Sequence, residues 1–190
     1  MSRRVILTVS LVLTLALSLV TQGYTAVNAQ ASIVIDLDSS TSGIQTDLQA
    51  NLGDGVDVAI IAQDVTNLDS FDIELEYNPF KLKLDPGSIA PGDFLSAGTA
   101  DFLMKDTSKP GKISISYSLP GQDPEEAPDG TGVIATMRFI LIGGGEIPIR
   151  FDKAVLFDSN RERDDVTNNS PESVVTGPDP NAQALIVTVN

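Results

Sequence analysis

The residues best equipped for chemistry in this chain are carboxylates. Asp72, Glu74 and Glu76 recur at every second position of FDIELEYNPFKLKL, residues 71–84. Asp158, Asn160, Glu162 and Asp164 space oxygen-bearing side chains in the same way, and Asp123, Glu125, Glu126 and Asp129 cluster around Pro124 and Pro128. Two carboxyl groups facing each other across a cleft can hydrolyse glycosides. Oxygens at alternate positions of a turning loop can hold calcium. A row of carboxylates on a surface can steer a basic partner. The chain has no histidine and no cysteine. That removes Ser-His-Asp and Cys-His catalysis, together with the usual zinc ligands. Sequence spacing alone brings no two of these acids into a catalytic pair, so the sequence points away from an enzyme.

The acidic sets differ in how well they fit a ligand. The run from Asp158 begins like a calcium loop, but its sixth position is Arg163, where the sharp turn calls for glycine, and its twelfth is Asn169 rather than a bidentate glutamate. A looser calcium site at Asp158, Asn160 and Glu162 is the weaker reading; a solvated loop is the favoured one, and no cofactor is otherwise expected. Asp123 to Asp129 reads as a solvated connection stiffened by its prolines. Gly143-Gly144-Gly145 lacks the lysine and following helix of a phosphate loop and reads as a turn. Asn168-Asn169-Ser170 is a formal glycosylation triplet, which carries weight only in a eukaryotic secretory pathway.

The elements that must position these residues are strands. Phe71, Ile73, Leu75 and Tyr77 alternate with Asp72, Glu74 and Glu76, the period of a half-buried strand. Asn78-Pro79 breaks the run, and Lys81 and Lys83 then alternate with Phe80, Leu82 and Leu84. Further runs are SIVIDL (32–37), VDVAIIAQDV (56–65), a weak ADFLMK (100–105), KISISYSL (112–119), GVIATMRFILI (132–142), EIPIRF (146–151) with AVLF (154–157), and ALIVTV (184–189). Turn dipeptides such as Pro86-Gly87, Pro91-Gly92, Pro110-Gly111 and Asp129-Gly130 separate them. No segment keeps a helical period. The pattern predicts an all-β fold, an antiparallel sandwich or jelly roll of about nine strands. Residues 158–183 are polar and turn-rich, with no strand signal beyond Ser173-Val174-Val175, and are expected as a long polar loop before the last strand. In 112–119, Ser114, Ser116 and Ser118 form a small, flat polar face opposite Ile113, Ile115 and Tyr117.

Residues 1–29 read as a signal peptide. Arg3-Arg4 precede the apolar run 5–20, and small residues end in Val27-Asn28-Ala29. The run is short for a span of about 20 residues, which favours cleavage over a retained anchor. The domain expected is 30–190, 161 residues long and large enough for one core without staples. With both leader arginines gone, 10 cations face 26 acids, a net charge of −16. Such a surface excludes nucleic acid and anionic lipid as partners.

Four segments in order resemble the cohesin domain, the secreted β-sandwich module that binds dockerin modules of polysaccharide-degrading assemblies. They are VDVAIIAQDVTNLDSFDIELEYNP, LKLDPGSIAPGDFL, GKISISYSL, and DGTGVIATMRFIL with its glycine turn and a strand ending AVLFDSN. The likeness covers roughly residues 32–158, with ALIVTV as the expected last strand. It implies a nine-stranded jelly roll of two sheets. It also implies that dockerin docks on the outer face of the sheet formed here by 70–77, about 99–105, 112–119 and 146–157. Asp72 falls where family members can carry an aspartate that hydrogen-bonds the dockerin helix, and Ser70 where they can carry asparagine. Ser114, Ser116 and Ser118 transfer only as a face. The strand with Lys81 and Lys83 becomes a sheet edge, where lysines discourage strand addition.

The reading is a secreted, monomeric, non-catalytic module that binds a dockerin-bearing protein through Ser70, Asp72, Glu74, Glu76, Ser114, Ser116 and Ser118. The alternatives are a carbohydrate-binding module of the same sandwich superfamily, with polysaccharide as direct ligand, and a structural surface protein with no specific ligand. Sugar faces need exposed aromatic platforms. This chain has no tryptophan and places at least Phe71, Tyr77, Phe139 and Phe151 at core parity.

Overall fold

A computed structural model describes residues 30–95, 104–119 and 127–179. The leader, ALIVTV (184–189), the first residues of ADFLMK, and Asp123, Glu125 and Glu126 lie outside them. The strands are β1 (Ser32–Asp36), β2 (Asp47–Gln49), β3 (Gly55–Val65), β4 (Leu68–Tyr77), β5 (Leu82–Pro91), β6 (Met104–Asp106), β7 (Lys112–Ser118), β8 (Gly130–Leu141), β9 (Gly145–Asp158), β10 (Arg163–Asp165) and β11 (Ser173–Gly177).

They form two sheets. One has the order β1-β3-β8-β5; the larger has the order β2-β11-β9-β4-β7-β6, with β10 also on β9. All pairs are antiparallel except β11 with β2. The apolar parity of each long strand faces inward. Phe71, Ile73 and Leu75 of β4, Ile113, Ile115 and Tyr117 of β7, and Ile147 and Ile149 of β9 meet Ile33, Ile35, Val58, Ile60, Phe139 and Leu141 of the smaller sheet in one core. Phe71 stacks on Tyr117 with ring centroids 5.9 Å apart, and Tyr77 meets Phe139 edge-on at 5.0 Å. This is the expected two-sheet jelly-roll sandwich.

The Asn-Pro after β4 is where the chain changes sheets. Asn78 builds that corner: its carbonyl accepts from the Lys81 and Leu82 amides, and its side-chain oxygen accepts from the Phe80 amide at 3.0 Å. Among the described residues β5 pairs only with β8, so Lys83 sits exposed on an edge strand. Pro86-Gly87 is not a turn between strands but a bulge inside β5, where the pairing with β8 shifts between Asp85 and Ala90. Gly92 lies so close to β8 that a Cβ there would meet the Val133 carbonyl oxygen at 2.1 Å.

The expected long polar loop over 158–183 is corrected in its described part. It carries β10, a short 3-10 turn (Thr167–Asn169) and β11. β11 joins the larger sheet between β9 and β2 through Val174↔Pro148 and Val174↔Asp47. EIPIRF and AVLF are one strand, β9, with Asp152 as an extra residue: Leu75 faces Phe151 while Glu74 faces Lys153. That bulge breaks the alternation that a period-two reading relies on.

Candidate functional site

β4, β6, β7 and β9, the four segments assigned to one face from the sequence, are neighbours in the larger sheet. Register brings their outward residues into rows. Ser70 lies opposite Ser118, Asp72 opposite Ser116, Glu74 opposite Ser114 and Glu76 opposite Lys112. β6 extends two rows, with Met104 beside Ser116 and Asp106 beside Ser114. On the other side β9 adds Phe157, Val155, Lys153 and Arg150 opposite Ser70, Asp72, Glu74 and Glu76. All seven residues expected on the face are therefore on it, and all are half-buried.

The carboxylate row meets cations of its own sheet. Asp72 is ion-paired with Lys153. Glu76 accepts from Lys112 and Arg150, each at 3.0 Å. Lys112 also reaches Asp152 at 2.7 Å, so one ionic network crosses β7, β4 and β9. Lys112, then Arg150, hold the Glu76 carboxyl below its usual range. Asp152 and then Glu76 raise the Lys112 ammonium above its own. Glu74 makes no ion pair or hydrogen bond among the described residues. The sequence reading missed Lys112, Asp152, Arg150 and Lys153. Their only early signal was that the strand runs contain cations at all; which carboxylate each meets depends on register across as many as 81 residues of chain.

The Asp158 loop is built differently from a cation site. Asp158 is fully buried, and one carboxylate oxygen accepts from the amides of Asn160 at 2.9 Å and Glu162 at 2.8 Å. Asn160 turns its side-chain nitrogen, not its oxygen, toward the other. Arg161 takes a left-handed conformation, φ 65°, at the residue before Glu162. Donors surround this carboxylate, and they close a turn. Among the described residues no group of three or more acids is placed to share a metal. Asp129, of the other acidic loop, accepts from the Asn67 amide at 2.7 Å and ties the β3–β4 connection to the start of β8. Phe80 is the one exposed aromatic among the described residues, and it sits on the Asn78–Lys81 corner, off the face.

The sandwich has counterparts among known proteins. The cohesin domain model matches residues 40–175, more than half of the chain. A search of curated proteins finds no match. Among solved structures, the chain is similar to the cohesin of a type I cohesin–dockerin complex of Clostridium thermocellum, Coh-OlpA with Doc918. That TM-score is 0.61 at 19% identity, over 77% of this chain and 99% of that one. A type II cohesin domain from the cellulosome of Acetivibrio cellulolyticus aligns with a TM-score of 0.61 at 21% identity, over 76% and 94%. A non-cellulosomal cohesin from the archaeon Archaeoglobus fulgidus aligns with a TM-score of 0.58 at 11% identity, over 83% and 99%. At these identities the likeness is one of fold, whereas the family model reads the sequence itself, and by that match the chain belongs to the cohesin domain family.

Proposed function

We propose that this chain is a secreted, non-catalytic module that binds a dockerin-bearing protein through the outer face of β4, β6, β7 and β9. Residues 1–29 are the leader and residues 30–190 the module, acting as a monomer. Cohesin domains are non-catalytic binding modules. Two of the solved structures similar in fold are cohesin–dockerin complexes.

The observation that carries the reading is the face itself. Ser70, Asp72, Glu74, Glu76, Ser114, Ser116 and Ser118 lie in adjoining rows of one sheet and are half-buried. The four serines keep much of this face low, so a partner helix can approach closely, and partner specificity comes from complementary polar groups rather than from area. Direct sugar binding is the weaker reading. Phe71, Tyr117, Phe139 and Phe151 are buried, and among the described residues the one aromatic on this face is Phe157, itself half-buried beside Ser70, which is too little for a stacking platform.

The test is a pull-down of every dockerin module encoded by the source genome on the immobilised full chain. Capture of at least one, lost on Ser116→Tyr at the centre of the face, is the expected result. No capture, or capture indifferent to that block, would overturn the proposal.

A further inference from the structure

We infer that the partner is read through Glu74 and the serine hydroxyls of β4 and β7, with Asp72 and Glu76 held out of the contact by this chain's own cations. This rests on the dockerin-binding reading above and sharpens which groups carry it.

The three carboxylates are equally spaced in sequence but differ in what they touch. Asp72 is taken by Lys153, and Glu76 by Lys112 and Arg150. Glu74 has no such partner among the described residues. Lys153 is its register neighbour on β9, but the ammonium is turned to Asp72. The hydroxyls of Ser70, Ser114, Ser116 and Ser118 likewise make no hydrogen bond among the described residues, and Ser114 lies directly opposite Glu74. Asp106 of β6, exposed beside Ser114, accepts from the Ser108 amide at 2.8 Å, so among the described residues the carboxylate of this face left without a partner is Glu74, with a ladder of hydroxyls beside it.

An interface that covers a polar group must give it a partner or lose its hydration without return. Ion pairs already closed within the sheet offer an incoming cation little, and covering them costs desolvation. The complement of this face is therefore one lysine or arginine aimed at Glu74, flanked by hydroxyl- or amide-bearing side chains along β7. A densely basic surface, the complement that the bare sequence row suggests, is the wrong match. Lys153 is the positioning residue: it decides that Glu74, and not Asp72, is the open carboxylate.

Calorimetric titration of the full chain with the captured dockerin separates the cases. Glu74→Gln keeps the shape and removes the charge; it should weaken binding by about tenfold or more, the lower end for a hydrogen bond to a charged group. It should also flatten the salt dependence. Asp72→Asn keeps an acceptor for Lys153 and should cost less than about threefold. On a Lys153→Gln background Asp72 is opened, and there Asp72→Asn should cost more than it does alone, a coupling that a merely structural role for Lys153 would not produce. Thermal unfolding confirms that each variant is folded. If the wild-type chain binds but Asp72→Asn costs more than Glu74→Gln, this inference falls and the dockerin reading stands. If the wild-type chain binds no dockerin, both fall.

Discussion

Replacing Asp158 by alanine should destabilise the fold, and the size of the loss distinguishes a turn-closing carboxylate from a cation ligand. In the wild type one oxygen takes two backbone amides, at 2.9 and 2.8 Å. The contact from the Asn160 side chain, at 3.4 Å, is long enough to count for little. Hydrogen bonds to a charged group are worth about 1.5–3 kcal/mol each. Two facts pull the figure down: Asn160 and Glu162 are exposed, so water can reach their freed amides, and the buried carboxylate is already desolvated. About 2–3 kcal/mol in total is the result. For a domain of this size that lowers Tm by about 5–10 °C. Asp158→Asn keeps one oxygen for both amides and should cost under about 1 kcal/mol. Urea and thermal unfolding of the three proteins, each with calcium and with chelator, are the assay. A ligand at a hundredfold over its Kd would add about 2.7 kcal/mol to the wild type, whereas the turn geometry predicts no calcium-dependent shift. Asp158→Asn as damaging as Asp158→Ala, together with a calcium-dependent wild-type Tm, would mean that Asp158 is a cation ligand and that the loop holds calcium.

Two further outcomes follow from the core and the face. Phe71→Ala removes a ring buried against Tyr117 between the sheets and should cost about 3–5 kcal/mol in urea unfolding; a loss under about 1 kcal/mol would mean that the core is not packed as described. The Glu76 carboxyl is held low by Lys112 and then Arg150, so its contribution is present above the ordinary carboxylate pKa and is lost as pH falls through its own lower value. The Tm gap between wild type and Glu76→Gln is therefore small at pH 7, because the pairs are partly exposed. It closes on acidification; a gap that widens toward low pH contradicts the assigned sign.

The strands whose residues alternate were legible because one buried face imposes a period of two. β4 and β7 are the clearest, and their parity assigns Asp72, Glu74, Ser114 and Ser116 to the outside without further information. The break of that period at Asn78-Pro79 was legible for the same reason. β2 and β10 were not, since three residues carry no period, and β2 exists only because Val174 and Val175 of β11 lie beside it. β9 read as two pieces because Asp152 bulges out of register. The state of each carboxylate was the least legible feature. Asp72 and Lys153 pair across 81 residues, and Glu76 and Arg150 across 74. No local pattern distinguishes a carboxylate facing solvent from one facing a cation brought in by the fold. The acidic row was visible in the sequence; that two of its three members are ion-paired within the sheet was not.

Met104 is a natural reporter for a partner seated on the outer face of β4, β6, β7 and β9. Met104 is 44% exposed on β6, beside Ser116 in register. Ile140 of β8 and Ile142 just beyond it, 36% and 47% exposed, belong to the other sheet. Hydroxyl-radical footprinting of the full chain, alone and saturated with a captured dockerin, should show Met104 protected and both isoleucines unchanged. Protection of Ile140 and Ile142 with Met104 still reactive would place the partner on the opposite sheet and contradict the account.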